Sequence, residues 1–193
     1  MNFNSLKNKH NVKIPKNISV LYCDKKNLLT FLGPLQKKSL KIKVKVFLIS
    51  STNLIVVSDL PTYKTSNVEL KSSRSMQGTT IAKIKQILIE VTYTLHHKLE
   101  FVGVGYRAFP LEALKEQLYF KLGYSHLIYF KVPESVKTHC IKFTKLFVFG
   151  NYSYEKVMQT AALIRDCKKP EPYKGKGILH HGEKITLKKG KKI

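Results

Sequence analysis

The order of secondary-structure signals repeats along this chain of 193 residues, and the repetition constrains the fold more than any other feature. In the first half, short strand-forming segments precede a helix capped by Thr79 or Thr80, and they cover residues 19–22, 28–32, 41–46 and 54–57. In the second half, similar segments precede a helix capped by Ser153, and they cover residues 99–108, 117–122, 127–132, 137–143 and 146–149. Consecutive strands closed by a helix are typical of α+β domains. The sequence therefore predicts two duplicated sheet-plus-helix domains.

Composition places the limits of these domains. Residues 1–16 are polar and basic without an acidic residue and are interpreted as an N-terminal arm, and residues 17–97 form the first predicted domain. The second predicted domain covers residues 98–167, because Pro170 cannot continue the helix before it. Residues 168–193 hold nine lysines and two acidic residues, with prolines and glycines and little to pack. Such a tail is expected to stay disordered alone and to become ordered against a polyanion.

The charge of the chain points to a polyanionic partner. Lys and Arg together number 35 against 12 Asp and Glu, and this net charge of +23 repels itself unless anions lie beside it. No apolar run approaches the roughly 20 residues of a membrane-spanning helix. Nucleic acid is therefore the first choice, ahead of an acidic membrane surface or an acidic protein. Nearly all the basic residues are lysines, which favours contacts with backbone phosphates and shape over the reading of base sequence.

The sequence lacks the patterns that catalysis or metal binding requires. Three widely spaced cysteines argue against a zinc site and against a disulfide framework. Ser125 and His126 are adjacent, but no acidic residue lies nearby in sequence and no nucleophile elbow surrounds them. In the pairs His96-His97 and His180-His181, neighbouring side chains point in different directions, which disfavours joint metal ligation. We therefore expect no catalytic residue, no metal, no cofactor and no small-molecule substrate.

The segment that follows the second helix, KKPEPYKGKGI at residues 168–178, carries the strongest local signal for RNA binding. Its two prolines are expected to hold it extended, and its two glycines let the backbone approach another surface closely. Its lysines point outward at alternate positions, and its tyrosine offers a flat ring for stacking on a base or sugar. The alternative is a solvated linker. The residues concerned are Tyr173, Lys174, Gly175, Lys176 and Gly177.

Three further features each keep two interpretations. Gly103 and Gly105 lie in a predicted strand without a following helix, so they mark a bulge or a tight approach rather than a dinucleotide-binding loop. Arg107, near the end of that strand, is either an RNA contact or an ordinary surface charge. The predicted strand 41–46 alternates lysine with apolar residues, and it is either a phosphate-tracking face or an edge strand kept soluble by lysine.

Three motifs carry a family resemblance. FVGVGYRA at residues 101–108, LGYSH at residues 122–126 and PEPYKGKGI at residues 170–178 resemble, in this order, the ribosomal protein L6 family of the large subunit. The PEPYKGKG string is highly specific to that family, and the GVGYRA string supports it. The resemblance is looser over residues 1–98, where Ile81 occupies a position at which the family often has arginine.

The resemblance implies two RRM-like domains related by duplication and a structural role on large-subunit rRNA. It places the protein near the 3′ end of that rRNA, next to the sarcin–ricin loop and the stalk base where translation factors dock, with other large-subunit proteins as neighbours. Most rRNA contacts in the family come from the C-terminal domain and tail, here Lys168, Lys169, Tyr173, Lys174, Gly175, Lys176 and Gly177. To these we add as candidate RNA contacts Arg107, Lys188 and Lys189.

Several features favour a mitochondrial ribosome over a plastid or bacterial one. The abundant Lys, Asn, Ile, Phe and Tyr have A/T-rich codons, which organellar genomes favour. Residues 1–20 lack the apolar core of a secretory signal and the arginines of a transit peptide, as expected of a protein made inside the organelle. The basic end at residues 188–192 is similar to that of mitochondrially encoded members of the family.

Two rival functions make different demands on the sequence. A regulatory RRM-type protein that binds single-stranded RNA outside the ribosome needs exposed aromatic residues in a defined strand pattern. The aromatic residues are present without that pattern, at Tyr119, Phe120, Tyr129 and Phe130. A small nuclease or transferase needs clustered carboxylates or a histidine-based site, and the scattered acidic residues supply neither.

Overall fold

The chain forms two compact units, residues 1–93 and 94–193. The computed structural model describes four stretches, residues 10–58, 67–111, 117–150 and 153–190. Residues 1–9 of the predicted arm and 191–193 of the predicted tail lie outside the described residues. The boundary between the units precedes the predicted one at 97/98, because the strand that opens the second unit already begins at Leu95.

The first unit holds two three-stranded antiparallel sheets and one long helix, α1 (Asn67–Thr92). One sheet has the strand order β1-β6-β5 and the other the order β2-β3-β4, and α1 contacts both. The strands are β1 (Asn11–Lys13), β2 (Ser19–Cys23), β3 (Leu28–Leu32), β4 (Lys37–Lys41), β5 (Val46–Ile49) and β6 (Leu54–Val57). The predicted strands 19–22, 28–32 and 54–57 are thus confirmed, the first two as an antiparallel pair, and part of the predicted arm is a strand, since β1 pairs with β6.

The core of the first unit lies between α1 and the sheets. The spacing of three and four predicts one apolar helix face with Ile81, Ile84, Leu88, Val91 and Leu95. The first four are buried on α1 and pack with strand residues such as Leu29, whereas Leu95 lies beyond the helix and opens the first strand of the second unit. One charged group is also buried there. Glu90 forms an ion pair with Lys38 and accepts a hydrogen bond from Gln86 (2.9 Å), so the carboxylate is not left without partners.

The predicted start of α1 at Thr79 or Thr80 is wrong, since the helix begins at Asn67. Both threonine hydroxyls donate to the carbonyl of Met76 (2.9 and 2.7 Å), which is bonding inside a helix and not capping. Buried Gln77 donates to the carbonyl of Val57 (3.0 Å) and so fixes this turn of the helix to β6. A tertiary contact therefore overrides the weak helix propensity of the serines and glycine in this stretch.

The predicted strand 41–46 is also wrong. β4 ends at Lys41 and β5 begins at Val46, so the intervening residues carry the chain from one sheet to the other. The amide of buried Ile42 donates to the carbonyl of Asn27 (2.8 Å), and the carbonyl of Lys45 accepts from Ser58 (2.9 Å). The three lysines of this stretch therefore do not line one continuous strand.

The second unit repeats this plan. Its sheets have the strand orders β10-β9-β8 and β11-β12-β7-β13, all pairs being antiparallel, and α2 (Tyr154–Asp166) contacts the second sheet. The strands are β7 (Leu95–Val102), β8 (Arg107–Pro110), β9 (Gln117–Lys121), β10 (Ile128–Lys131), β11 (Val136–Ile141), β12 (Lys145–Gly150) and β13 (Gly177–His180). The second predicted helix is confirmed, with Val157, Ala161 and Ile164 buried, although Ser153 makes no side-chain capping bond.

The predicted single strand 99–108 is in fact two strands joined by a glycine turn. β7 ends at Val102, and the amide of Tyr106 donates to the carbonyl of Gly103 (3.3 Å) before β8 begins. A Cβ on Gly103 would lie 2.9 Å from the Tyr106 ring, and one on Gly123 would lie 3.0 Å from it. Both family motifs thus supply a glycine that makes room for the same buried tyrosine, which is the tight approach predicted for Gly103.

The topology confirms the duplication. In each unit the first strand pairs with the sixth and the sixth with the fifth, strands two to four form a second sheet, and a helix follows. The copies differ at the end of the chain, where β13 is added to the free edge of β7. The predicted disordered tail from residue 168 therefore contains a core strand, in which Ile178 is fully buried. Its backbone pairing and its apolar residues explain why the segment belongs to the second unit.

Candidate nucleic-acid interface

The basic segment after α2 folds into a closed turn, in contrast to the extended conformation predicted from its prolines. The amide of Glu171 donates to the carbonyl of Lys176 (3.0 Å), and the amide of Gly175 donates to the carbonyl of Glu171 (2.9 Å). Tyr173 and Lys174 form the exposed tip of this turn, with 54% of Tyr173 accessible. The tyrosine ring and the lysine are thus presented together to solvent.

The two glycines of the segment serve the fold of the chain itself. Gly175 has a φ of +68°, a left-handed conformation that closes the turn and that residues with a side chain rarely adopt. A Cβ on Gly177 would lie 2.5 Å from Cα of Pro170, in the backbone of the same segment. The close approach predicted for Gly177 is therefore real, but the surface approached is part of the protein.

Two predicted site residues, Lys168 and Lys169, lie at the end of α2. The ammonium group of Lys168 lies 4.0 Å from the centre of the Tyr124 ring, and the hydroxyl of Tyr124 donates to the carbonyl of Cys167 (3.3 Å). Lys169 pairs with Asp166 (Nζ–Oδ1 3.3 Å) on the exposed side. Sequence reasoning missed the role of Tyr124, although its place in the LGYSH motif was a signal.

A cavity of about 470 Å³ lies between the turn and the end of α2. Its basic lining comes from Lys168, Lys169 and Lys176, and its walls include Tyr106 and Tyr124. Two carboxylates also line it, from Asp166 and Glu171. Lys176 is only partly exposed, so it contributes charge to this concave surface and not to the tip.

The remainder of the tail returns to the turn. The amide of Lys188 donates to the carbonyl of Pro172 (2.9 Å), which brings Lys188 and Lys189 beside the exposed tip. In the described part of the chain, no carboxylate forms an ion pair with Lys174, Lys188 or Lys189. The fold thus gathers cations that are distant in sequence into one surface, which we call the tail cluster: Tyr173, Lys174, Lys188 and Lys189.

An ion pair anchors the tail just after β13. Two nitrogens of the Arg165 guanidinium, Nη2 and Nε, donate to the Glu183 carboxylate (2.5 and 3.2 Å), which also accepts from the amide of His180 (3.0 Å). The hydrogen bonds from Arg165, and then that from His180, lower the pKa of Glu183 below its ordinary value of 4.5. The anionic carboxylate therefore ties α2 to the residues just after β13.

The adjacent histidine pairs are separated by the sheet, as predicted from their neighbouring positions. His97 and His180 contact each other across β7 and β13 (Nε2–Nδ1 2.7 Å), and burial, reinforced by His180, lowers the pKa of His97. His181 instead contacts Glu100 (3.0 Å), and hydrogen bonds from Lys98 and His181 lower the pKa of that carboxyl. Among the described residues no group of three or more His, Cys, Asp or Glu could hold a metal ion.

The remaining predicted residues lie elsewhere. Arg107 is exposed at the start of β8, in a different sheet from β13, and the structure does not place it in the tail cluster. The ring of His126 stacks on Tyr124 (centroids 5.7 Å apart), a packing contact next to the cavity. No helix of the described residues is long and apolar enough to cross a membrane.

Comparison with known proteins gives one family. A family model described as ribosomal protein L6 matches residues 102–181. The large ribosomal subunit protein uL6m of Reclinomonas americana is 35% identical over 182 residues, which cover 94% of this chain and 95% of the relative. The uL6 proteins of Mycoplasmoides gallisepticum and Geobacter sulfurreducens are each 39% identical, over 93% and 95% of this chain and over 92% and 95% of their own lengths.

The duplicated α+β units and these relatives define a structural protein of the large ribosomal subunit. The chain belongs to the ribosomal protein L6 family, known as uL6. The resemblance carried by the three sequence motifs is thereby confirmed. This family consists of structural ribosomal proteins and not of enzymes, in agreement with the missing catalytic pattern.

Proposed function

We propose that this protein binds large-subunit rRNA through the tail cluster and the cavity behind it. The observation that carries the proposal is the convergence of Lys174, Lys188 and Lys189 on one exposed turn without carboxylate partners in the described residues. Phosphate groups satisfy such cations, and Tyr173 at the tip can stack on a base or sugar. The turn is held by backbone hydrogen bonds and β13, so the cations are positioned before RNA arrives.

The proposed place on the ribosome is near the sarcin–ricin loop and the stalk base. This placement rests on the family resemblance of the PEPYKGKG segment, which forms the turn of the interface. Translation factors dock beside that region and other large-subunit proteins adjoin it, so both belong to the proposed surroundings. The role of the chain there is to neutralise phosphates and to order the local RNA.

The proposed compartment is the mitochondrion. Its support is the codon bias of the composition, together with the similarity to the mitochondrial relative of Reclinomonas americana. The bacterial relatives match at 39% identity against 35% for the mitochondrial one, which keeps a bacterial cytoplasm or a plastid as the alternative. Sedimentation of the protein with large subunits from purified mitochondria tests the assignment directly.

Charge reversal tests the proposed interface. The double variant Lys174→Glu, Lys188→Glu should bind a fragment of large-subunit rRNA roughly tenfold to hundredfold more weakly near 100 mM salt, because two phosphate contacts become repulsive. The matched control is Lys25→Glu, Lys26→Glu, which changes the charge equally on an exposed turn of the first unit. If filter binding shows the same loss of rRNA affinity in both variants, the tail cluster contributes only through the overall positive charge of the protein.

A further inference from the structure

The sheet of β8, β9 and β10 has one buried face and one open face. Residues alternate along its strands, and those packed into the core of the second unit include Ala108, Leu118 and Phe120. Phe130 of β10 packs against the same core. The sequence had grouped Tyr119, Phe120, Tyr129 and Phe130 together, whereas the structure assigns the two phenylalanines to the core and leaves both tyrosines to the opposite face.

A row of aromatic rings crosses the open face. Phe109 stacks on Tyr119 (centroids 4.9 Å, planes 14° apart), and Tyr119 is followed by Tyr129 at 6.3 Å. At the other end the Phe143 ring lies 4.8 Å from Phe109, held there because the amide of Ala108 donates to the Phe143 carbonyl (2.7 Å). The end rings are open, with 63% of Tyr129 and 51% of Phe143 accessible. Exposed aromatic patches of this kind mark interaction sites.

Cations flank the ring row on both sides. On one side Arg107 lies directly across from Lys121, and on the other Lys131 lies across from Gln117. Like charges directly opposite each other in a sheet are destabilising. In the part of the chain that the structure describes, no carboxylate pairs with any of these three residues. An anion placed beside the rings would relieve the repulsion between Arg107 and Lys121.

We propose that this open face binds the unstacked bases of a single-stranded RNA segment, with Tyr129 and Phe143 as stacking platforms. A single strand offers flat bases joined by phosphates, which matches a row of rings with Arg107 and Lys121 on one side and Lys131 on the other. An apolar protein surface would satisfy the rings but leave the opposed cations unrelieved. The proposal goes beyond the function proposed above, because it concerns another sheet and recognises bases, and it gives Arg107 a phosphate-binding role.

The experiment uses the full-length protein and two probes of equal charge. One is a labelled oligoadenylate of roughly 12 nucleotides, and the other is an abasic strand of the same length. Tyr129→Ala should weaken oligoadenylate binding at least about fivefold and leave abasic binding unchanged, since stacking on one ring is removed. Tyr129→Leu should weaken binding by the same amount, and Tyr129→Phe should retain wild-type affinity. The control is Tyr93→Ala, at a tyrosine of similar exposure (66%) in the first unit.

Three outcomes would overturn the proposal. Tyr129→Leu binding oligoadenylate like the wild type would show that the ring is not used for stacking. If Tyr129→Ala weakened binding of both probes equally, the face would bind phosphates and not bases. A wild-type dimer that Tyr129→Ala converts to a monomer would make the face a protein interface. Binding of the structured rRNA fragment, measured separately with the tail variants, decides the function proposed above independently of these results.

Discussion

At the scale of single residues, the glycines of the family motifs act through the protein's own packing. Gly103 and Gly123 make room for Tyr106, and Gly177 makes room for the backbone of Pro170. The sequence predicted close approach at Gly103 and Gly177, because glycine is the residue that permits it, but not at Gly123. It could not reveal which surface approaches, since Pro170 and Gly177 meet only after the turn between them has closed.

Gly177→Ala should therefore destabilise the second unit without RNA being involved. The added Cβ would lie 2.5 Å from Pro170 Cα, and relief requires a shift of backbone, so we expect a decrease of about 1–3 kcal/mol in the free energy of unfolding. Denaturant titration measures it. Gly190→Ala is the control, because a Cβ there meets nothing within 4 Å. Equal stability of the two variants would contradict the packing role.

The Glu183 carboxylate should give the second unit an acid-sensitive anchor. Because hydrogen bonds from Arg165 lower its folded-state pKa below the ordinary 4.5, the pair stabilises the fold above the unfolded pKa, and this stabilisation is lost as pH falls through the lower folded pKa. Glu183→Gln should be less stable than the wild type at neutral pH and should approach it at the acid end. Arg165→Gln should behave similarly in the same pH series of denaturant titrations, and a wild-type pH profile for Glu183→Gln would refute the anchor.

At the scale of elements, the sequence predicted strands and helices correctly where its periodic apolar residues are the ones buried in the structure. The hairpins β2–β3 and β9–β10 and the helix face of α2 follow from alternation and from spacings of three and four. The long strand predicted at residues 41–46 failed although it alternates well, because the chain there turns between sheets. β13 was missed because its pairing with β7 joins residues far apart in sequence. The lysines and prolines around this short apolar strand also made the whole segment resemble a disordered tail.

Two truncations separate the strand from the charges of the tail. Deleting residues 168–193 removes β13 and should destabilise the second unit severely, since truncation of a buried side chain such as Ile178 alone costs about 2–5 kcal/mol. Deleting residues 185–193 keeps β13 and the Arg165–Glu183 pair but removes four lysines. The shorter deletion should melt near the wild type and bind rRNA more weakly. Normal melting of the longer deletion would contradict the placement of β13 in the core.

At the scale of the whole molecule, duplication explains how one chain provides both a scaffold and a specialised surface. The two units share strand order and a closing helix, so each builds a core of the same kind. The added strand and the turn before it belong to the second copy, and that copy carries the tail cluster and the exposed aromatic row. The sequence predicted the two copies from their element order, but it could not distinguish lysines gathered by the fold from lysines spread over the surface.

The net charge of +23 sets an expectation for the intact protein on RNA. Each phosphate neutralised releases counterions, so the logarithm of the binding constant should fall linearly with the logarithm of salt concentration. With roughly 6–10 phosphates neutralised, affinity for an rRNA fragment should fall by about 10³–10⁵ between roughly 50 and 200 mM salt. Deleting residues 185–193 should reduce the slope by about 0.7–0.9 for each phosphate that the shortened chain no longer neutralises, whereas Tyr129→Ala should leave it unchanged because stacking releases no ions. A shallow slope for the wild type in filter binding would contradict electrostatic binding as the main source of affinity, and an unchanged slope after the deletion would place the phosphate-binding lysines outside the end of the tail.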